Sequence, residues 1–179
     1  MKKVRYRFYL DYEKEEKWIN EMAEQGWHLK KWFLGRFTFA KGDPGSFIYR
    51  NEFIIEKSKK EKKEYFELLE DSGLTIIHES GGWIYMKKAA AEGPFELYTD
   101  THSKIDYYKR MLNIFLVLFF VNVFAGIVNT GILGDQSLPQ LTNSVIGFLN
   151  IAVAIILTFP IIKIIQRKRA LKRSKDLFE

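Results

Sequence analysis

The stretch EEKWINEMAEQGWHL at residues 15–29 decides how the first part of the chain folds. Trp18, Ile19 and Met22 are spaced so that they form one apolar stripe along an α-helix. Gly26 follows the run at the position where a helix commonly ends in a left-handed residue. The stretch therefore predicts an amphipathic helix that packs through its Trp18 side and ends at Gly26.

Strand-like segments flank this helix on both sides. Before it, VRYRFYL at 4–10 is rich in aromatic residues and alternates as a strand should, and Asp11 can cap the helix that follows. After it, WHLKKWFLG and RFTFAKG indicate two strands joined by a turn at Gly35. Residues 4–42 are thus predicted to form a β-α-β-β unit.

A second stretch, KEYFELLEDSGLTII at 63–77, repeats the pattern without tryptophan. Gly73 lies 47 residues after Gly26, and on that offset Trp18 matches Tyr65 and Met22 matches Leu69. We therefore expect a second β-α-β-β unit at 47–89. The predicted fold class is α+β: a duplicated cytoplasmic domain over 1–105, with one antiparallel sheet and two helices on one face.

Two long uncharged runs follow this domain, at 111–133 and 138–162. A bilayer core needs roughly 20 helical residues, so each run is long enough to cross it. The short segment GDQS separates them. We predict a transmembrane hairpin over 106–165, followed by a basic tail over 166–179. Two buried helices of a soluble core are the alternative, although such helices normally carry a polar stripe.

The basic charge of the chain is concentrated after the second uncharged run. Residues 163–179 hold seven Lys/Arg and two Asp/Glu, whereas residues 1–110 hold 21 and 19. This distribution argues against nucleic acid as a partner. The positive-inside rule places both termini in the cytoplasm, so we expect a multi-pass protein of a bacterial inner membrane. Arg167, Lys168 and Arg169 could bind lipid headgroups, or serve only as a topology signal.

The predicted membrane helices carry amides and glycines at helical spacing. Small residues allow close approach of two helices, and amides can hydrogen-bond between them. Such faces either hold the hairpin together or dock a protein partner or a second copy of the chain. The candidate helix contacts are Asn122, Gly126 and Asn129 in the first run, and Asn143, Gly147 and Asn150 in the second.

Aromatic residues make up 16% of the chain, which is high for a domain of this size. Trp18 and Trp27 are expected to pack the first helix onto the sheet. Other aromatic residues lie on predicted strands, where some of them should face away from the helices. They could line a groove that binds a small molecule or a peptide. These groove residues are Trp32, Phe37, Phe39, Trp83 and Tyr85.

No motif in the sequence points to catalysis. There is no cysteine, and the three histidines lack the spacing of metal ligands, so we expect no metal site and no cofactor. The acidic pairs Glu15/Glu16 and Glu70/Asp71 occur in charged helical runs and are predicted to face solvent. An enzyme that acts on lipid or an envelope precursor would need a polar constellation that the sequence does not reveal.

The order of motifs resembles a known family. EEKWINEMAEQGWHL, RFTFAKGDPGSFIYR, a Gly-Gly-Trp strand and ELYTDTHSKIDYYKRM precede the hairpin. This is similar to a bacterial DUF2812-like family, a domain of unknown function whose genes often lie beside PadR-like regulators. The resemblance implies a membrane protein with a cytoplasmic module and implies no catalytic residue. We predict a non-enzymatic, membrane-anchored binding or regulatory module; the alternative is an accessory or immunity-type subunit that acts through its hairpin.

Overall fold

A computed structural model describes residues 1–98, 100–131 and 141–178 of the chain. The described residues divide into two compact units, Met1–Leu97 and Tyr98–Glu179. Among the described residues the first unit contains all six strands, two α-helices and a short 3-10 helix at Ala90–Glu92, and the second contains two long α-helices. The architecture is α+β, as the sequence predicted.

The first half of the first unit has the predicted order of elements. An antiparallel sheet in the order β1-β3-β2 accompanies the helix α1. The bounds are β1 Lys2–Tyr6, α1 Tyr12–Glu24, β2 Trp27–Phe33 and β3 Arg36–Lys41. Asp11 caps α1 through its side chain, and Gly26 follows the helix with φ at 77°. Strand β1 ends before the predicted residue 10 because its partner β3 begins only at Arg36.

The second half repeats this order of elements and of strands. Its antiparallel sheet runs β4-β6-β5, and a register shift between Ile76 and His78 matches one between Leu29 and Lys31. The bounds are β4 Phe47–Phe53, α2 Lys59–Asp71, β5 Thr75–Ser80 and β6 Trp83–Ala89. The single six-stranded sheet expected from the sequence is instead two three-stranded sheets. Duplication of the sequence itself stays a prediction.

The two helices do not cover one common face, in contrast to the prediction. Tyr85 packs in a core cluster with Trp18 and Ile19 of α1. Its neighbours Ile84 and Met86 pack instead with Leu69 of α2. Because successive residues of a strand point to opposite faces, α1 and α2 lie on opposite sides of the second sheet. The α1 cluster also includes Phe37 and Phe39 of the first sheet, so α1 packs against both sheets.

The second unit consists of α3 (Thr101–Thr130) and α4 (Leu141–Phe178). Both helices are long and apolar enough to cross a membrane, with mean hydropathies of 2.5 and 2.6 over their most apolar windows. Only 17% of either window is buried, and large apolar side chains such as Phe124 and Phe148 are exposed. These features allow a membrane location. The predicted GDQS turn lies outside the described residues.

Candidate functional site

Helix α1 is attached to the open edge of strand β4. Among the described residues strand β4 pairs only with β6, which leaves one side of its backbone without a neighbouring strand. The Asn20 side chain donates to the Tyr49 carbonyl at 3.0 Å and accepts from the Tyr49 N–H at 2.8 Å. One turn earlier, Glu16 accepts from the Asn51 N–H at 3.1 Å. Side chains of α1 thus take the place of a further strand along this edge.

A buried polar cluster lies where α1 meets both sheets. Its centre is Tyr85 of β6, whose hydroxyl donates a hydrogen bond to the Glu15 carboxylate of α1. In the second sheet Tyr85 lies opposite Asn51 of β4 and His78 of β5. The centre of the Trp32 ring of β2 lies 5.4 Å from that of the Tyr85 ring. This Tyr85 cluster consists of Glu15, Trp32, Asn51, His78 and Tyr85.

The environment of Glu15 favours its protonated form. Burial raises the pKa of Glu15 to about 7, and hydrogen bonds with Tyr85 and Asn51 act in the opposite direction. No ion pair of Glu15 with a basic side chain occurs among the described residues. Burial likewise raises the pKa of the Tyr85 hydroxyl, and the nearby Glu15 charge adds to this shift. The carboxyl group therefore changes its charge near neutral pH.

Three members of the Tyr85 cluster have a buried polar atom without a hydrogen-bond partner in the described part of the chain. These atoms are Trp32 Nε1, Asn51 Oδ1 and His78 Nε2. The first is a donor, the second an acceptor, and the imidazole nitrogen is either according to its tautomer. A buried polar atom without a partner costs free energy, and such atoms normally contact water or a ligand. The cluster therefore has unfilled capacity for both kinds of hydrogen bond.

A family model described as "Protein of unknown function (DUF2812)" matches residues 11–120, which is more than half of the chain. The chain belongs to the DUF2812 family. The match begins at the cap of α1, covers both sheets apart from β1, and ends within α3. No curated protein and no solved structure gave a significant match. The DUF2812 region thus includes every residue of the Tyr85 cluster.

The predicted groove residues come together, but most of them are buried. The Trp32 ring lies 6.4 Å from Phe37, and Phe37 lies 6.4 Å from Phe39. Phe37 and Phe39 are fully buried and Tyr85 is 2% exposed, so these three pack the core rather than line an open groove. Trp83 packs against Phe53 with their rings 5.1 Å apart. Residues of both halves of the DUF2812 domain therefore meet within the core.

Sequence reasoning missed Glu15, Asn51 and His78 as members of a site. Glu15 was expected to face solvent, and this is wrong because its exposed fraction is 7%. A signal was present: Glu15 shares the helical face of Trp18, Ile19 and Met22 by its spacing. Glu16 also departs from the prediction, since its carboxylate contacts Arg50 at 3.0 Å and is only 18% exposed. Asn51 and His78 carry no comparable signal in the sequence.

The histidines show no metal-binding arrangement in the part of the chain that the structure describes. No three His, Asp or Glu side chains lie close enough together there to hold a metal ion. His28 instead contacts the Tyr49 hydroxyl at 3.1 Å and the Asp43 carbonyl at 2.8 Å. Its ring therefore has a structural role between β2 and the loop before β4.

In the second unit, the predicted glycines lie where α3 and α4 are in close contact. A Cβ on Gly126 would come within 2.7 Å of Ile151, and one on Gly147 within 2.7 Å of Thr130. The Asn122 and Asn129 amides donate to carbonyls one turn back in α3, at 2.8 Å each. Asn150 is half-buried and Asn143 is exposed. Arg167, Lys168 and Arg169 lie on the last part of α4.

Proposed function

We propose that this DUF2812 protein is a non-enzymatic regulatory module, anchored in a membrane, whose α+β domain binds a small polar ligand at the Tyr85 cluster. The two apolar helices provide the anchor. The basic flanks support an orientation with both termini in the cytoplasm of a bacterial cell. The observation that carries the proposal is the set of three unpaired polar atoms around Tyr85.

The unpaired atoms define the chemistry of the ligand. A ligand must accept from the Trp32 indole N–H and donate to the Asn51 amide oxygen, so it carries both an acceptor and a donor. The aromatic rings of Trp32 and Tyr85, whose centres lie 5.4 Å apart, make the surroundings of these polar atoms partly apolar. A small, neutral and partly apolar molecule fits this arrangement better than a charged one, because the site is buried.

Helix α1 is the element that a ligand would influence. Glu15, which accepts from Tyr85, belongs to α1, and Asn20 of the same helix holds the β4 edge. A ligand that competes for the Tyr85 hydroxyl changes how firmly α1 is held against the second sheet. If the ligand binds the domain more tightly with α1 in one position than in another, it shifts the population toward that position. A partner protein that contacts α1 could then detect the bound ligand.

The experiment is a thermal-stability screen of the full chain in mild detergent, with a library of small polar compounds. A ligand at about one hundred times its Kd stabilises the folded state by about 2.7 kcal/mol, a readily measured increase in Tm. Trp32→Phe should abolish the increase, because it removes the indole donor. Trp83→Phe, the same change outside the cluster, should preserve it. Equal stabilisation of both variants, or a library without any binder, would contradict the proposal.

A second candidate function rests on Asn122, which lies at the middle of the uncharged run 111–133. Its side chain is half-buried, while the adjacent Val121 is 58% exposed on an apolar surface. An amide at this depth can hydrogen-bond to the helix of another membrane protein or of a second copy. This favours an accessory subunit. Asn122→Leu should then abolish co-purification of a membrane partner, whereas Val121→Leu should preserve it. If the Asn122→Leu variant still co-purifies with the same membrane partner, this function would be contradicted.

A further inference from the structure

The first sheet carries basic residues and no acidic ones. Residues 1–10 and 27–42, which contain its strands, hold eight Lys/Arg and no Asp/Glu. Helix α1, by contrast, has five glutamates. In the described part of the chain no carboxylate forms an ion pair with any of these eight cations. The sheet therefore presents a positive surface that the small net charge of the whole domain conceals.

One face of this sheet is open and mixes aromatic with basic side chains. Arg36 lies opposite Tyr6 on one side and Phe33 on the other, so the three form a row across the strands. Tyr6 is 75% exposed and Phe33 is 56% exposed. Residues next to Arg36, such as Phe37, point to the opposite face and are buried beneath α1. The row thus faces away from the core of the domain.

The turn between β2 and β3 places a leucine at the end of this face. Leu34 and Gly35 have φ values of 43° and 76°, and a two-residue hairpin turn with two positive φ angles favours asparagine at the first position. Leu34 is 71% exposed, and Phe8 nearby in the chain after β1 is 80% exposed. A strained and solvated leucine gains nothing from packing within the domain, which indicates a role in binding.

We propose that this tip surface, formed by Tyr6, Phe8, Phe33 and Leu34 with Lys31 and Arg36, docks onto an anionic phospholipid bilayer. Apolar side chains at the turn enter the headgroup region, and the cations contact lipid phosphates. The inference rests on the membrane anchor of the proposed function. That anchor keeps the domain at a high effective concentration near the lipid surface, so weak contacts are sufficient.

An open sheet face with aromatic and basic residues can also stack nucleobases. The tip surface fits lipid better, because Leu34 at its end is aliphatic and has no ring on which a base could stack. Phe8 and Leu34, which are 80% and 71% exposed, also lie at the turn end rather than along the middle of the strands. Single-stranded RNA is therefore the competing outcome of the test.

The full chain has no cysteine, so single cysteines allow specific labelling. Leu34→Cys and, as a matched control, Leu68→Cys would each carry an environment-sensitive fluorophore. Leu68 is a leucine on α2 that is 60% exposed. In nanodiscs of phosphatidylcholine with phosphatidylglycerol, the label at position 34 should shift to shorter wavelength and be quenched by spin-labelled lipid. The label at position 68 should remain in water. Pure phosphatidylcholine nanodiscs should reduce the shift at position 34.

Two further variants separate docking from folding. Arg36→Gln should lower the ratio of docked to free domain about fivefold, whereas Lys63→Gln on α2 should leave it unchanged. Leu34→Asn, with the label at Phe8→Cys, should reduce docking while Tm stays equal or rises, because asparagine suits the turn. A label at position 34 that remains in water, or that responds to single-stranded RNA and not to lipid, would overturn the inference. Failure of the chain to enter nanodiscs would instead contradict the membrane anchor.

Discussion

Helices α1 and α2 occupy equivalent places in the two halves of the first unit, which have the same order of elements, yet the two helices pack differently. In α1 five residues are buried, among them Glu15 and Trp18, whereas in α2 only Leu69 is buried. The difference follows from what each helix contacts: α1 packs against both sheets, and α2 covers one face of the second sheet. An identical topology can thus provide one helix that carries a buried polar site and one that is mainly a solvated cover.

The largest expected effect concerns the apolar stripes of the two helices. Ile19 is 1% exposed, while Phe66 at the matching position of α2 is half-buried. Ile19→Ala should lower the free energy of unfolding of the first unit by about 3 kcal/mol, and Phe66→Ala by about half of that. Chemical denaturation of the full chain, followed by tryptophan fluorescence, measures both. Equal losses would remove the proposed difference between the helices.

The next prediction compares a carboxylate of each helix. The pKa of Glu15 is raised from 4.5 to about 7, so between these pH values the folded state binds more protons than the unfolded state. Stability should therefore fall as pH rises through this window, by about 3 kcal/mol in total. Glu15→Gln should remove this dependence in denaturation curves recorded from pH 4 to 8.

Glu61 of α2 should behave in the opposite way. Hydrogen bonding to Ser58 lowers the pKa of this exposed carboxylate, so its contribution to stability is present above pH 4.5 and is lost as pH falls. Glu61→Gln serves as the control for Glu15→Gln, since it changes only the acid side of the profile. A wild-type profile in which stability rises between pH 5 and 7 would contradict the account of Glu15.

A smaller effect tests the attachment of α1 to β4. Asn20→Ala leaves the N–H and carbonyl of Tyr49 without their side-chain partner and should cost about 2 kcal/mol. Glu67→Ala, at the matching position of α2, should change stability by less than about 0.5 kcal/mol, because Glu67 is exposed. Hydrogen exchange of the Tyr49 amide should accelerate only in the Asn20 variant. Unchanged protection of that amide would show that α1 does not secure the edge.

The sequence predicted those parts of the fold that depend on local pattern. The stripe of Trp18, Ile19 and Met22, the helix end at Gly26 and the turn at Gly35 are confirmed by the structure. Periodicity identifies residues that share a face, but it does not show what covers that face. This is why two sheets and the opposite placement of α1 and α2 were not foreseen.

The candidate site was less accessible to sequence reasoning for a related reason. Glu15 has the spacing of a buried residue and the charge of an exposed one, and the charge outweighed the spacing in the prediction. Its main partner, Tyr85, lies 70 residues away, and only the tertiary fold brings the two together. The positive charge of the first sheet could have been predicted, because residues 1–10 and 27–42 contain no Asp or Glu. The net charge counted over the whole domain is small and does not show it.

The central claim is that the Tyr85 cluster binds a ligand through Trp32. Its most direct test is the NMR spectrum of the full chain with ¹⁵N-labelled tryptophan, whose four indole signals are assigned by single Trp→Phe variants. A compound that raises the Tm should shift the Trp32 indole signal and leave those of Trp27 and Trp83 in place. Stabilisation by such a compound with an unchanged Trp32 signal would contradict the claim.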